Sequence, residues 1–145
     1  MQKEIRKNWF FQHPPAVVWE YLTKPELLSQ WLMENDIKPI VGHQFQFRSK
    51  PALEIEFDGI CYCEILKVVS LKQLSYSWKC SPTDSGYKID TVVLWTLIPK
   101  DNGTELLLLQ TGFKEKENDK FYMAMNNGWT KQVEKLLQNL NSNSK

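Results

Sequence analysis

Residues Asn126 to Leu140, NNGWTKQVEKLLQNL, read as the second half of an amphipathic helix with a glycine set into it. Phe121 and Met125 begin an apolar stripe that Trp129, Val133, Leu136 and Leu140 continue at helical spacing. Gly128 costs a helix interior roughly 1 kcal/mol relative to alanine, and it stands directly before the bulkiest side chain of the stripe. A glycine is most useful in a helix where another backbone or a ligand comes close. What this helix lies against therefore decides the fold.

The segments before it supply the answer. Lys3 to Gln12 reads as a strand, ended by Pro14 and Pro15, which also pre-set a helix start. Two short helices are expected, Pro15 to Thr23 and Pro25 to Leu32, the second with Leu27, Leu28 and Trp31 as its apolar stripe. Strand patterns then recur at short intervals. In HQFQFRS (His43 to Ser49) Phe45 and Phe47 share a side, and in ALEIEFDG Leu53, Ile55 and Phe57 oppose Glu54, Glu56 and Asp58. Ile60 to Val69 and Gln73 to Cys80 follow, the latter with Leu74, Tyr76 and Trp78 on one face. SPTDSG reads as a loop. IDTVVLWTLIP and TELLLLQTGF flank Lys100-Asp101-Asn102-Gly103, a hairpin connection. KEKENDK is a charged loop that leads to an N-cap at Asn118 or Asp119.

Strands joined by short connections make an antiparallel meander, and the long helix must bury its stripe against that sheet. Gly128 faces roughly the same way as Met125 and Gln132. It opens room either for the sheet or for a bound molecule. Residues 1–140 form one domain in this reading, and 141–145 (NSNSK) a disordered tail.

Composition narrows the function. A chain of 145 residues buries roughly 68–70% of its unfolded surface, enough for one core. Lys plus Arg number 18 against 17 Asp plus Glu, a formal charge of +1, which argues against nucleic acid or an anionic membrane as partner. No apolar run approaches the roughly 20 residues that span a bilayer, and MQKEIRKNWFF lacks the apolar region of a signal peptide. A cytoplasmic protein is expected. Cys61 and Cys63 share a strand face, but with Cys80, His13 and His43 they show no ligand spacing, so packed thiols and no metal are expected. No cofactor motif is present: Walker, GxGxxG, GxSxG and HExxH patterns are all missing. The 6 Trp, 5 Tyr and 7 Phe furnish a core and, in a concave site, its walls.

In order and spacing, HPPAVVWEYLTKPELLSQWL, VGHQFQF, LSYSW, VVLWTLIPKDNGTELLLLQTGF and NGWTKQVEKLL resemble the SRPBCC (START/Bet v 1-like) superfamily, in particular its Activator of Hsp90 ATPase homologue 1-like domain family. The resemblance implies an α+β helix-grip fold: a seven-stranded antiparallel sheet curved around the C-terminal helix, with two short helices closing one end. It implies a cavity between sheet and helix, which in many relatives holds an apolar small molecule. The chain departs from the family pattern at Gln110, where a histidine is frequent, and at MAMNN, which lacks the histidine often found before Gly-Trp. Both departures remove titratable groups.

Family matching and alternation together direct Val93, Trp95 and Leu97 inward, opposite Leu106, Leu108 and Gln110. The expected ligand-binding set is Trp31, Phe45, Phe47, Tyr76, Trp78, Trp95, Leu108, Gln110, Met125, Gly128, Trp129 and Gln132. Gln110, a polar group on an apolar wall, needs a partner, which ordered water or a ligand would supply. Tyr76 either orients a ligand or reaches the rim, and Trp31 either gates the cavity or seals the core. On the outer face Val92, Leu94, Ile98, Leu107 and Leu109 form an apolar patch of the kind that marks interfaces; Leu94, Ile98, Leu107 and Leu109 would carry a homodimer or a protein partner. The leading expectation is non-catalytic binding of a small apolar or amphipathic molecule. Its alternatives are a chaperone- or stress-linked interaction module using the outer face, and an enzyme on a cyclic or polyketide-like substrate.

Overall fold

The computed structural model describes residues 2–143. The chain runs β1 (Gln2–Phe11), α1 (Pro15–Thr23), α2 (Pro25–Leu28), β2 (Glu34–Asn35), β3 (Gln44–Arg48), β4 (Ile60–Val69), β5 (Gln73–Thr83), β6 (Gly86–Lys100), β7 (Gly103–Lys114) and α3 (Asp119–Asn143). The seven strands form one antiparallel sheet in the order β1-β7-β6-β5-β4-β3-β2. This is the expected α+β helix-grip arrangement: the sheet holds α3, and α1 and α2 follow the first strand.

Alternation orients the sheet. Ile89, Thr91, Val93, Trp95 and Leu97 of β6 are buried, as are Leu106, Leu108 and Gln110 of β7 and Leu74, Tyr76, Trp78 and Cys80 of β5. From α3, Phe121, Trp129, Val133, Leu136 and Leu140 close over them. The β6–β7 connection needs only Asp101 and Asn102, both left-handed at φ 49° and 62°. That conformation matches the twist of the flanking strands, and Asp and Asn tolerate it best among residues with a side chain.

Four boundaries differ from the sequence reading. ALEIEFDG is not a strand: Leu53–Ile55 form a 3₁₀ turn and Glu56 is left-handed at φ 58°. Ala52 and Phe57 exchange both backbone hydrogen bonds, at 2.9 and 3.0 Å, so the segment closes on itself instead of pairing with β3. Leu53 is consequently 82% exposed. The seventh strand is instead Glu34–Asn35, paired with Arg48 and Phe47, which is too short to show a period. The second helix stops at Leu28, not Leu32, because Gln30 and Trp31 bond back three residues in a tighter turn. SPTDSG is mostly ladder, since Pro82 pairs with Tyr87 and Thr83 with Gly86; its turn-forming composition is needed only at Asp84 and Ser85. At the other end, α3 continues to Asn143, past Leu140 where the sequence marks a tail; Ser144 and Lys145 lie outside the described residues.

Candidate functional site

The aromatic residues singled out above come together as one chain of ring contacts. Trp31 meets Trp95 edge-on at 6.1 Å, Trp95 meets Trp129 at 5.4 Å, Trp129 meets Trp78 at 5.4 Å and Trp78 meets Phe47 at 5.1 Å. Tyr76 closes the chain against Phe47 and Phe45, at 5.9 and 5.4 Å. All seven rings are buried, as is Leu108. Side chains therefore fill the middle of the helix–sheet interface.

Its polar atoms are mostly paired with one another. Trp31 Nε1 donates to the Tyr21 carbonyl at 3.0 Å, so Trp31 seals the core instead of standing free. Trp95 Nε1 donates to the Tyr76 hydroxyl at 2.9 Å; burial pushes the Tyr76 phenol well above its ordinary pKa, with the Trp95 bond opposing that shift. Gln110 is fully engaged. Its Oε1 accepts from Trp129 Nε1 at 2.8 Å, and its Nε2 donates to Thr91 Oγ1 at 2.9 Å. The expectation that water or ligand would satisfy Gln110 is thus corrected: the partners are protein side chains. Thr91, in turn, donates to the Trp78 carbonyl at 2.8 Å. The sequence reading missed Thr91, although the inward alternation through Val93 and Trp95 extends back to it.

One edge of the interface is different. Phe121, Met125, Gly128 and Gln132 lie at i, i+4, i+7 and i+11 and so share a flank of α3. A Cβ built on Gly128 would meet nothing within 4 Å. The glycine is therefore not there to admit the sheet backbone, and the space beside it is open. Two buried side-chain atoms among the described residues have no hydrogen-bond partner, Trp78 Nε1 and Gln132 Oε1. One belongs to the ring that packs on Trp129, the other to the open flank. Such unsatisfied groups are rare in well-packed interiors.

The β3–β4 connection borders this flank. Phe57 packs edge-on against Phe121 at 6.0 Å, Lys88 forms an ion pair with Glu56, and Ser81 Oγ donates to the Glu56 carbonyl. A surface cavity of about 230 Å³ runs between Glu54–Glu56, Lys88 and the Lys116–Phe121 stretch. Glu54, Glu56 and Asp58 are exposed, as expected, though on a turn and not on a strand face.

Two further depressions lie on the outer face of the sheet. One, of about 370 Å³, is lined by Leu94, Thr96, Leu107 and Leu109 with Arg6, Lys7 and Asn8. Register places Leu94 opposite Leu109 and Thr96 opposite Leu107. Val92 and Ile98 continue the apolar surface, 38% and 39% exposed. The other, about 470 Å³, is polar, with Gln46, Tyr62, Glu64, Lys79 and Tyr87 around it; the sequence reading did not find it.

The cysteines are buried thiols. Cys61 and Cys80 are cross-strand partners with sulfurs 3.4 Å apart, and Cys63 donates to the Cys61 carbonyl. Burial pushes Cys61 and Cys63 upward, Cys80 adding to the effect on Cys61. Because the thiolate is the reactive form, native protein at pH 8 should leave both unmodified by a disulfide reagent, whereas denaturant should expose all three thiols. Rapid modification of the native protein would contradict this burial. Among the described residues, no group of three or more His, Cys, Asp or Glu is placed to share a metal ion, and no helix is long and apolar enough to cross a membrane.

Comparison with known proteins follows this geometry. The family model described as Activator of Hsp90 ATPase homolog 1-like protein matches residues 12–141. The crystal structure of a Mesorhizobium loti protein is similar with 35% identity and a TM-score of 0.87, covering 97% of this chain and 98% of its own. A Bacillus halodurans solution structure shows 28% identity and a TM-score of 0.74, with 94% and 95% covered. The solution structure of the Aha1 dimer from Colwellia psychrerythraea, at 17% identity, shares the fold with a TM-score of 0.76, and 92% of each chain is covered. No curated protein matches.

Proposed function

We propose that this chain, which belongs to the Activator of Hsp90 ATPase homolog 1-like protein family, binds a small apolar or amphipathic molecule along the Phe121–Met125–Gly128–Gln132 flank of α3. The observation that carries the reading is the open space at Gly128, one helical turn before Gln132, whose Oε1 is buried with no protein partner. Leaving a buried donor or acceptor unpaired costs about 1–3 kcal/mol, and a ligand that supplies the missing partners recovers that cost. The seven-ring core forms the rigid wall of the site, and the Phe57–Phe121 contact lies at its border. The buried polar side chains among the described residues are Thr23, Ser75, Ser77, Thr91, Thr104, Gln110 and Asn118, all of them uncharged.

Native mass spectrometry of freshly purified protein, together with titration of 1,6-diphenylhexatriene fluorescence, tests the proposal. A retained small-molecule mass or saturable probe binding is the expected result. A bare mass combined with no probe binding would overturn it.

A second reading, self-association through the outer face, is favoured by the apolar depression at Leu94, Leu107 and Leu109. Replacing Leu94 and Leu107 together with lysine should halve the mass measured by light scattering and leave the melting transition cooperative, because the charges meet water in the monomer but an apolar surface in the dimer. A wild-type protein that is already monomeric would end this reading.

A further inference from the structure

Two neighbouring segments carry exposed aliphatic side chains and lysines but no acid. Ile37 to His43 (IKPIVGH) leads into β3, and Ile65 to Lys72 (ILKVVSLK) ends β4 and turns into β5. Backbone bonds fix them side by side: Gly42 N–H donates to the Ile65 carbonyl at 2.9 Å, and Ile65 N–H to the His43 carbonyl at 3.0 Å. Ile40 and Val41 are 62% and 63% exposed, and Leu66, Val69 and Leu71 are exposed as well. Lys38, Lys67 and Lys72 stand exposed among them. Of the flanking carboxylates, Asp36 lies 3.7 Å from Arg48, and Glu64 lines the polar depression on the outer face of the sheet. The net charge of +1 averages over this distribution, so the expectation it raised against an anionic membrane does not apply to this end of the molecule.

Folding alone does not explain Leu71. It turns the β4–β5 hairpin at φ 64°, where Lys72 N–H donates to the Val69 carbonyl at 2.9 Å. A left-handed backbone is costly for a bulky side chain, and glycine or asparagine is its ordinary occupant. Here the strained residue is an exposed leucine, which gains little from the core. We propose that this end of the sheet docks on an anionic lipid surface, with Ile40, Val41, Leu66 and Leu71 entering the interface and the three lysines meeting the head groups. Apolar side chains flanked by lysines suit such a surface: the first are buried against acyl chains, the second attracted to negative head groups. The aliphatic groups are carried by two separate turns, and a fluid lipid surface accepts them without the matched shape that a protein partner requires. Docking of this kind does not depend on a ligand at α3.

Vesicle co-sedimentation tests the proposal. Wild-type protein should pellet with vesicles of equal parts phosphatidylglycerol and phosphatidylcholine at about 0.1 M salt, and salt near about 1 M should release most of it by screening the lysines. Vesicles of phosphatidylcholine alone should bind far more weakly. Lys67→Gln combined with Lys72→Gln should weaken binding to the anionic vesicles by about 10- to 30-fold. Leu71→Asn should weaken it by about tenfold while holding or raising the melting temperature, because asparagine suits a left-handed turn. Val41→Ser, on the other segment, should also weaken it. Absence of binding by the wild type, or binding unmoved in folded Leu71→Asn and Val41→Ser, would overturn the proposal. So would a wild type that ignores vesicles but self-associates in light scattering, with Leu71→Asn dissociating it, since the patch would then belong to a contact with a second copy of the chain.

Discussion

Replacing Trp129 with alanine should destabilise the protein by about 3–5 kcal/mol, the usual range for deleting a buried aromatic. That is a large share of the roughly 5–15 kcal/mol that holds a domain together. The indole touches Trp78 and Trp95, each at 5.4 Å, and bonds Gln110 at 2.8 Å. Its removal opens a void between those two rings and leaves the Gln110 acceptor orphaned. Trp129→Phe separates the two contributions. It retains much of the packing but leaves Gln110 Oε1 buried without a donor, for about 1–3 kcal/mol. Adding Gln110→Leu to Trp129→Phe should recover part of that loss, because exchanging both members of a buried pair for apolar groups is far less costly than removing one. Urea unfolding of the four variants forms a double-mutant cycle. Strictly additive effects would mean that the Trp129–Gln110 bond contributes nothing beyond packing.

The cycle also shows what a single sequence makes legible. Trp129 was readable as core because it recurs with Phe121, Met125, Val133 and Leu136 at a period that only a buried helix face explains. Period-2 alternation gave the inward face of β5 through Leu74, Tyr76 and Trp78, whereas in β6 and β7, with leucines on both faces, the choice needed the family resemblance as well. Gln110 was recognisable as a polar group on an apolar wall. Its partners were not, because Thr91 and Trp129 are brought to it by a neighbouring strand and by a helix 19 positions away in each case. The stretch Leu53–Phe57 has perfect alternation and still forms a turn, because the reciprocal Ala52–Phe57 bonds offer the backbone a local alternative that alternation does not register. The unpartnered Trp78 and Gln132 atoms lie furthest from the sequence: whether a donor lacks an acceptor depends on every neighbour at once.

Gly128→Leu should raise stability and lower ligand binding, and these opposite signs test the site most directly. Where a glycine admits a close backbone, a side chain destabilises by overpacking, typically by about 1–3 kcal/mol. Here a Cβ would meet nothing within 4 Å, so that penalty is missing. Leucine is a better helix former than glycine by up to about 1 kcal/mol, and the melting temperature should rise by about 2–4 °C for a chain of this size. The leucine side chain would extend into the space between Met125 and Gln132, where the ligand is proposed to lie. Apparent affinity for 1,6-diphenylhexatriene should fall at least tenfold. Gly128→Ala supplies the control, with a similar gain in helix propensity and much less volume, so its binding should fall less than that of the leucine variant. A stabilised Gly128→Leu protein that binds the probe as tightly as before would place the ligand elsewhere. A strongly destabilised one would show that the glycine serves packing after all.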